Sequence, residues 1–242
     1  MELQDRERHI LDALIKEYVR TAEPVSSEDL ILRHRLPWSS ATIRNDLVAL
    51  DKAGYVRQPH VSAGRVPTDK AYRFYINEHE EKKPRKERRS LTSLSHNDGS
   101  TDEEFLRNAA SILSRLSHGF TTAGLLDDRL FFKYGFSEVL QEPEFSDTAA
   151  VQGFAECIDE VERSVDELFR TIPAGHPRAF VGHENPIKEA KEYGMIVYAY
   201  EKDGRTGKKK QIVSILGPKR MDYERNLSLM REFDEIVRDL YT

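Results

Sequence analysis

The residues best suited to chemistry lie in one short stretch, Ser39-Ser-Ala-Thr-Ile-Arg-Asn-Asp-Leu47. Arg44 offers a planar fork of donors that fits guanine or phosphate. Asn45 offers a donor beside an acceptor, the pattern that pairs two-fold with adenine. Ser39 or Ser40 can cap a helix by accepting a backbone N–H of its first turn, and a hydroxyl at a helix N-terminus also sits where a phosphate docks. At about 100° per residue, Ile43, Leu47 and Leu50 form one apolar stripe. Ala41, Thr42, Arg44, Asn45, Val48 and Lys52 then face the other way, and none of them is acidic. Small Ala41 and Thr42 let such a helix enter a groove. The chemistry is recognition of base edges and phosphates.

Gly54 provides a helix end in the left-handed region at little cost. Beyond it Tyr55-Val56 starts a strand, and Gly64 with Pro67 reads as a turn and a short return strand. That wing carries His60, Ser62 and Arg65 near its tip, where Arg65 beside Gly64 suits phosphate or minor-groove contact. The candidate DNA contacts are therefore Ser39, Ser40, Thr42, Arg44, Asn45, Lys52, His60, Ser62 and Arg65.

Other candidates carry less. Gly204-Arg-Thr-Gly207-Lys208 is too short for a phosphate loop, and Lys209 stands where a hydroxyl would bind magnesium, so a hairpin turn is expected. His183, Glu184 and Asp222 have no second His or Cys at ligand spacing, which favours a structural role. Cys157 is the single cysteine; it rules out an internal disulfide and reads as a core thiol beside Phe154 and Ile158. Tyr193, Tyr198 and Tyr200 could line a pocket, although aromatic residues on a sheet are usually core. The expectation is a protein that is not an enzyme, with no cofactor and no metal.

The elements that must hold the motif are legible around it. Arg6 to Arg20 predicts a first helix with Ile10, Leu11, Leu14 and Ile15 on one face, broken by Pro24. Ser26 or Ser27 caps a second helix, with Glu28 and Asp29 suited to its first turn. Leu36-Pro37-Trp38 makes the turn, and Lys70 to Glu80 forms a fourth helix after the wing. This is a winged helix-turn-helix over residues 1–80. Residues 81–100 read as a charged and polar linker that buries no core.

Residues 101–242 predict an α+β domain with an antiparallel sheet. Helices are expected over Asp102–Leu116, from Ser146 or Asp147 through Phe169, from Asn185-Pro186, and over a last segment with Leu229, Phe233, Ile236 and Leu240 in register. Strands are expected at Phe120–Leu126, Arg129–Gly135, Ala179–Gly182, Met195–Tyr200 and Gln211–Leu216.

Charge follows the same division. The 242 residues are 38% hydrophobic and 33% charged, with net charge −5. Residues 1–89 hold 18 Lys/Arg against 15 Asp/Glu, net +3, and the remainder holds 19 against 27, net −8. A basic head on an acidic body suits a DNA-binding protein. No apolar run approaches the roughly 20 residues of a membrane helix. The charged N-terminus is no secretory signal, so a cytoplasmic setting without membrane contact is expected.

Several of these motifs together resemble a known family. Tyr18-Val-Arg-Thr-Ala-Glu-Pro-Val25, Ser39–Leu47, Gly54-Tyr55, Pro59-His60, Ser62-Ala-Gly-Arg-Val-Pro67 and Tyr72-Arg-Phe-Tyr75 resemble the N-terminal domain of HrcA, the bacterial heat-inducible transcription repressor. Gly182-His-Glu-Asn-Pro186 and Gly217-Pro-Lys-Arg-Met-Asp-Tyr223 are similar to that family's C-terminal signature, with Pro143-Glu-Phe145 a weaker match.

The resemblance implies a homodimeric repressor of chaperone genes on an inverted-repeat operator, kept active by the GroEL chaperonin, with a GAF-like second domain. Family members carry an inserted segment that is missing here. A sugar-responsive repressor of the DeoR type, controlled by a metabolite, has a similar helix and is the alternative. The short, acidic second domain is expected to open first on warming.

Overall fold

The first helix, α1 (Asp5–Thr21), buries Ile10, Leu11, Leu14 and Ile15 and ends at Ala22, whose backbone is left-handed. The computed structural model describes residues 3–80, 91–95, 101–164, 172–204 and 207–241, in two units, Met1–Glu81 and Lys82–Thr242. A reciprocal cap opens α2 (Ser27–His34): Asp29 N donates to Ser26 Oγ at 3.1 Å, and Ser26 N donates to Asp29 Oδ2 at 3.1 Å. Ser39 caps α3 (Ser40–Lys52), its Oγ accepting from Thr42 N at 3.2 Å. The predicted stripe of Ile43, Leu47 and Leu50 is buried. Gly54, at φ +77°, turns the chain out of the helix into β1 (Val56–Arg57). β1 pairs antiparallel with β2 (Val66–Pro67), and α4 (Asp69–Glu80) follows.

Two features of this unit differ from expectation. Gly64 is demanded by close approach and not by turn geometry: a Cβ there would lie 2.5 Å from the carbonyl of Val25. The approach arises because Val25 and Arg65 pair as an isolated bridge, with N–O distances of 2.9 and 2.8 Å. Arg65 is thereby tied to the base of the wing. Asp46, the acid inside the candidate motif, turns inward and takes both Nε (2.7 Å) and Nη2 (3.0 Å) of Arg6, fastening α3 to α1.

Glu17 of α1 is also buried, its side chain 4% exposed. It accepts from Arg20 Nη2 and Arg33 Nη1, each at 2.5 Å, and lies 3.1 Å from His34 Nε2. Burial alone would raise its pKa; the hydrogen bonds from Arg20, Arg33 and His34 together outweigh it and hold the carboxyl at about 2, against an ordinary 4.5. A carboxyl depressed on folding stabilises the fold fully above its unfolded pKa and loses that contribution as pH falls through the folded one. Glu17→Gln should therefore destabilise the unit most above about pH 4.5, with the difference from wild type shrinking toward pH 2. Urea unfolding across that range checks it; a difference that does not change with pH would remove the ionic role.

The second unit is built on one antiparallel sheet. Its strands are β3 (Phe120–Leu125), β4 (Leu130–Tyr134), β5 (Arg178–Val181), β6 (Tyr193–Gly204) and β7 (Gly207–Pro218), in the order β4-β3-β7-β6-β5. Alternation along β6 and β7 sorts residues between two covered faces. Met195, Val197, Ala199, Ile212 and Leu216 pack with Phe154, Cys157, Ile158 and Val161 of the helix Thr148–Arg163. Tyr198 and Tyr200 meet Phe233 of the helix Tyr223–Tyr241, which in turn stacks on Phe105 of the helix Asp102–Ser117. Between β4 and β5 the described chain carries a short helix, Phe136–Val139, a 3₁₀ turn, Pro143–Phe145, and the helix Thr148–Arg163. Among the described residues, the α-helices of this unit are α5 (Thr92–Ser95), α6 (Asp102–Ser117), α7 (Phe136–Val139), α8 (Thr148–Arg163) and α9 (Tyr223–Tyr241). The α+β class with an antiparallel sheet stands as expected.

Four local readings are corrected. Leu91 and Leu94, expected in a coreless linker, are buried, and α5 packs against α6 and α9. Leucines at i and i+3 put two apolar side chains on one side of a single turn. The remainder of that linker, 81–90 and 96–100, lies outside the described residues, as do Val165, Leu168 and Phe169. Asn185-Pro186 opens no α-helix; it sits between 3₁₀ turns at Gly182–Glu184 and Lys188–Glu192. In α9 Leu229 and Phe233 of the expected stripe are buried, but Ile236 is half-buried and Leu240 36% exposed, while Asn226, Met230, Asp234 and Val237 lie inside. Asp234 is drawn in because Tyr198 Oη donates to its Oδ1 at 2.6 Å. The β6–β7 pairing runs out to Gly204 opposite Gly207, so the hairpin is tighter than the residue pattern indicated.

Candidate nucleic-acid interface

The outward face of α3 presents Ala41, Arg44, Asn45, Val48 and Lys52 to solvent, with Thr42 half-buried. Each is exposed because Ile43, Asp46, Leu47 and Leu50 occupy the inward positions one and two turns apart. Arg44 is 66% exposed at its side chain and donates from Nη2 to Glu28 Oε1 at 3.3 Å. Ser39 spends its hydroxyl on the cap and on Thr42 Oγ1 at 2.9 Å. Ser40 Oγ lies 3.0 Å from Ser27 Oγ and 3.4 Å from Glu28 Oε1. The helix N-terminus, with small side chains and one arginine, is shaped to enter a groove.

The wing presents a second set. His60, Val61 and Ser62 are exposed, Val61 at 90%. Ser62 sits at φ +73°, a costly conformation for a residue with a Cβ. Gln58 Nε2 donates to Ala63 O at 2.9 Å and Ala63 N to His60 O at 3.0 Å, which closes the loop. Arg65 is not among these tip residues. Its side chain is 16% exposed, and its Nε lies 3.0 Å from Asp51 Oδ2. The bridge to Val25 carries its backbone away from the tip, a long-range pairing that a local turn reading could not contain.

So α3 gathers Ser39, Ser40, Thr42, Arg44, Asn45 and Lys52, and the wing gathers His60 and Ser62. Glu28 and Val61 escaped the sequence reading. Exposed Val61 had a signal in its place between two candidate residues; Glu28 looked like an ordinary helix-start acid.

The residues weighed for other chemistry have structural work. Glu184 Oε2 accepts from Val181 N at 3.1 Å, and Asp222 Oδ1 accepts from Arg225 N at 3.0 Å. Among the described residues no group of three His, Cys, Asp or Glu could hold a metal ion. Burial pushes the Cys157 thiol up to about 12, so it stays protonated. Tyr200 Oη donates to Gln211 Oε1 at 2.6 Å within the core, while Tyr193 packs on Phe145 and Phe154.

The two C-terminal motifs and Pro143-Glu-Phe145 meet in space. Arg220 forks onto Glu144 and Glu142. Asn185 Nδ2 donates toward the carbonyls of Gly182 (2.9 Å), Ala190 (2.8 Å) and Tyr193 (2.9 Å). A Cβ on Gly194 would fall 2.2 Å from Tyr223 Oη. These motifs hold the second unit together.

Comparison with known proteins places the chain in a family. A model described as "Winged helix-turn-helix transcription repressor, HrcA DNA-binding" matches residues 2–81, and one described as "HrcA protein C terminal domain" matches residues 47–227. A heat-inducible transcription repressor HrcA from Alkaliphilus metalliredigens is 26% identical, with 99% of this chain and 98% of the relative covered. That alignment runs over 341 positions for a chain of 242 residues, so at least 99 positions of it have no counterpart here. The HrcA of Thermobifida fusca is 46% identical over 48% of this chain and 34% of its own length. A crystal structure of a hypothetical protein superposes with a TM-score of 0.75 at 19% identity, covering 99% of this chain and 98% of its own, which shows a shared fold. No helix among the described residues is long and apolar enough to cross a membrane.

Proposed function

Because the chain belongs to the HrcA family of heat-inducible transcription repressors, we propose that α3 enters the major groove of an inverted-repeat operator, with Arg44 and Asn45 reading bases. Ser39, Ser40, Thr42 and Lys52 flank them against the phosphates, and His60 and Ser62 touch the backbone or minor groove. The observation that carries this is the outward face of α3, where every side chain is small, amide, apolar or cationic. Arg65 supports the wing from its base through Asp51. The DeoR-type alternative is not favoured, since the HrcA models match both halves.

An inverted repeat presents the same groove face twice in opposite orientations, so the working form is a homodimer. The acidic second unit holds that dimer and gives way on warming, and GroEL restores it. Such a repressor works in the cytoplasm. The protein performs no catalysis in this scheme.

Asn45→Ala should cost roughly 1–3 kcal/mol on promoter DNA of the host's chaperone operons and little on random duplex. Filter or fluorescence titration of the full chain measures both. Equal losses on the two DNAs would remove the base-reading role of Asn45.

A further inference from the structure

Glu28 stands at the second position of α2, where an acid is ordinarily explained by the positive end of the helix. That task already belongs to Asp29, whose carboxylate takes both the backbone N–H and the hydroxyl of Ser26 (3.1 and 2.6 Å). Glu28 points elsewhere. Its Oε1 lies 3.3 Å from Arg44 Nη2 and 3.4 Å from Ser40 Oγ, across the start of α3. Both Arg44 and Glu28 are about two-thirds exposed, at 66% and 65%. A pair that exposed contributes little to folding stability. It does place a negative charge on the surface that meets DNA, beside the one arginine in the first half of α3.

We propose that Glu28 is a specificity determinant: it commits Arg44 to guanine and against phosphate. This rests on the reading of α3 as the major-groove helix. A guanidinium has five N–H donors in a planar fork, so it can keep a carboxylate on one edge and meet a second acceptor on another. Guanine O6 and N7 are neutral acceptors, and the Glu28 contact survives their approach. A phosphate is an anion. Bringing it to Arg44 sets two negative charges within a few ångströms, well inside the Debye length, so one must leave. Unmatched DNA, held through phosphates alone, therefore binds more weakly than it would beside a bare Arg44. Discrimination comes from a repulsive element placed against the wrong ligand.

The test uses the full chain, a duplex recovered by selection from a random pool with the wild-type chain, and a scrambled duplex of the same composition. Glu28→Gln keeps the length and helix propensity of the side chain and removes its charge. The scrambled duplex should then bind about threefold to tenfold tighter, with log K against log salt steeper by about 0.9 per protomer as one more phosphate is engaged. Affinity for the selected duplex should change by less, so the ratio of the two falls. A helix-start role alone would lower the melting temperature and leave ratio and slope unchanged, and that result overturns the proposal, as does an equal gain on both DNAs. If the wild-type chain itself fails to distinguish the two duplexes, the major-groove reading of α3 fails first.

Discussion

Phe233→Ala is expected to destabilise the second unit by about 3–5 kcal/mol, the range for emptying a fully buried aromatic site. Phe233 has no exposed surface. Its ring stacks on Phe105 at 5.8 Å and meets Tyr198 and Tyr200 edge-on at 6.0 and 6.3 Å, so it joins α9, α6 and β6 at one point. Its neighbours cannot collapse into the gap, because Tyr198 and Tyr200 are held by hydrogen bonds to Asp234 and Gln211. For a domain of this size the loss corresponds to roughly 6–20 °C of melting temperature. Thermal unfolding followed by circular dichroism, with hydrogen exchange to separate the units, should show 223–240 opening earlier while 40–52 keeps its protection. If the second unit is the heat-sensitive element, repression by the variant is released at a correspondingly lower temperature. A loss below about 1 kcal/mol would contradict the packing of this face.

The second expectation is Arg220→Ala. Arg220 is 7% exposed, with Nε on Glu144 Oε1 at 2.6 Å and Nη2 on Glu144 Oε2 (2.9 Å) and Glu142 Oε2 (2.5 Å). Burial works against its charge, and the hydrogen bonds it donates to Glu144 and Glu142 more than compensate, raising its pKa above the usual arginine value. Removing the cation leaves two carboxylates turned toward each other with nothing between them. Breaking a buried pair in this way costs about 3–5 kcal/mol; the lower end applies, since Glu142 and Glu144 keep 27% and 36% of their side-chain surface. Arg220→Lys should recover less than half of the loss, because an ammonium cannot fork onto two carboxylates. Urea unfolding of both variants decides the matter, and full rescue by lysine would exclude the bidentate geometry as the source of stability.

What was readable beforehand was governed by nearby residues. The sequence narrows each cap to two neighbours, Ser26 or Ser27, Ser39 or Ser40 and Ser146 or Asp147, because a cap hydrogen bond spans three positions, and the structure selects Ser26, Ser39 and Asp147. The stripe of α3, its cationic opposite face and the winged arrangement followed from periodicity and turn residues alone. The residue strings shared with the HrcA family carried the function in the same way, since a string is matched without reference to its surroundings. Where the reading failed, the deciding partner was distant. Arg65 was assigned to the wing tip, yet its place is set by Val25, forty positions earlier in the chain, and by Asp51. Leu91 and Leu94 lie in a stretch whose charged and polar composition reads as a linker, and they become core only against α6 and α9. In α9 Leu229 and Phe233 are buried as the periodicity predicts, while the end of the stripe departs from it where Asp234 finds Tyr198 across 36 residues.

The sequence by itself therefore determined most of the helices and strands and the identity of the residues on the outward face of α3. Each depends on propensity, capping and hydrophobic period, which act within a turn or two of the chain. Only the tertiary structure decided which polar side chains are structural and which remain available: Asp46 goes to Arg6, Arg220 to Glu142 and Glu144, and Glu28 to Arg44. A charged side chain reaches several ångströms in any direction. Its partner is whichever opposite charge the packed backbone brings within that reach, and desolvation fixes how strongly the two are held.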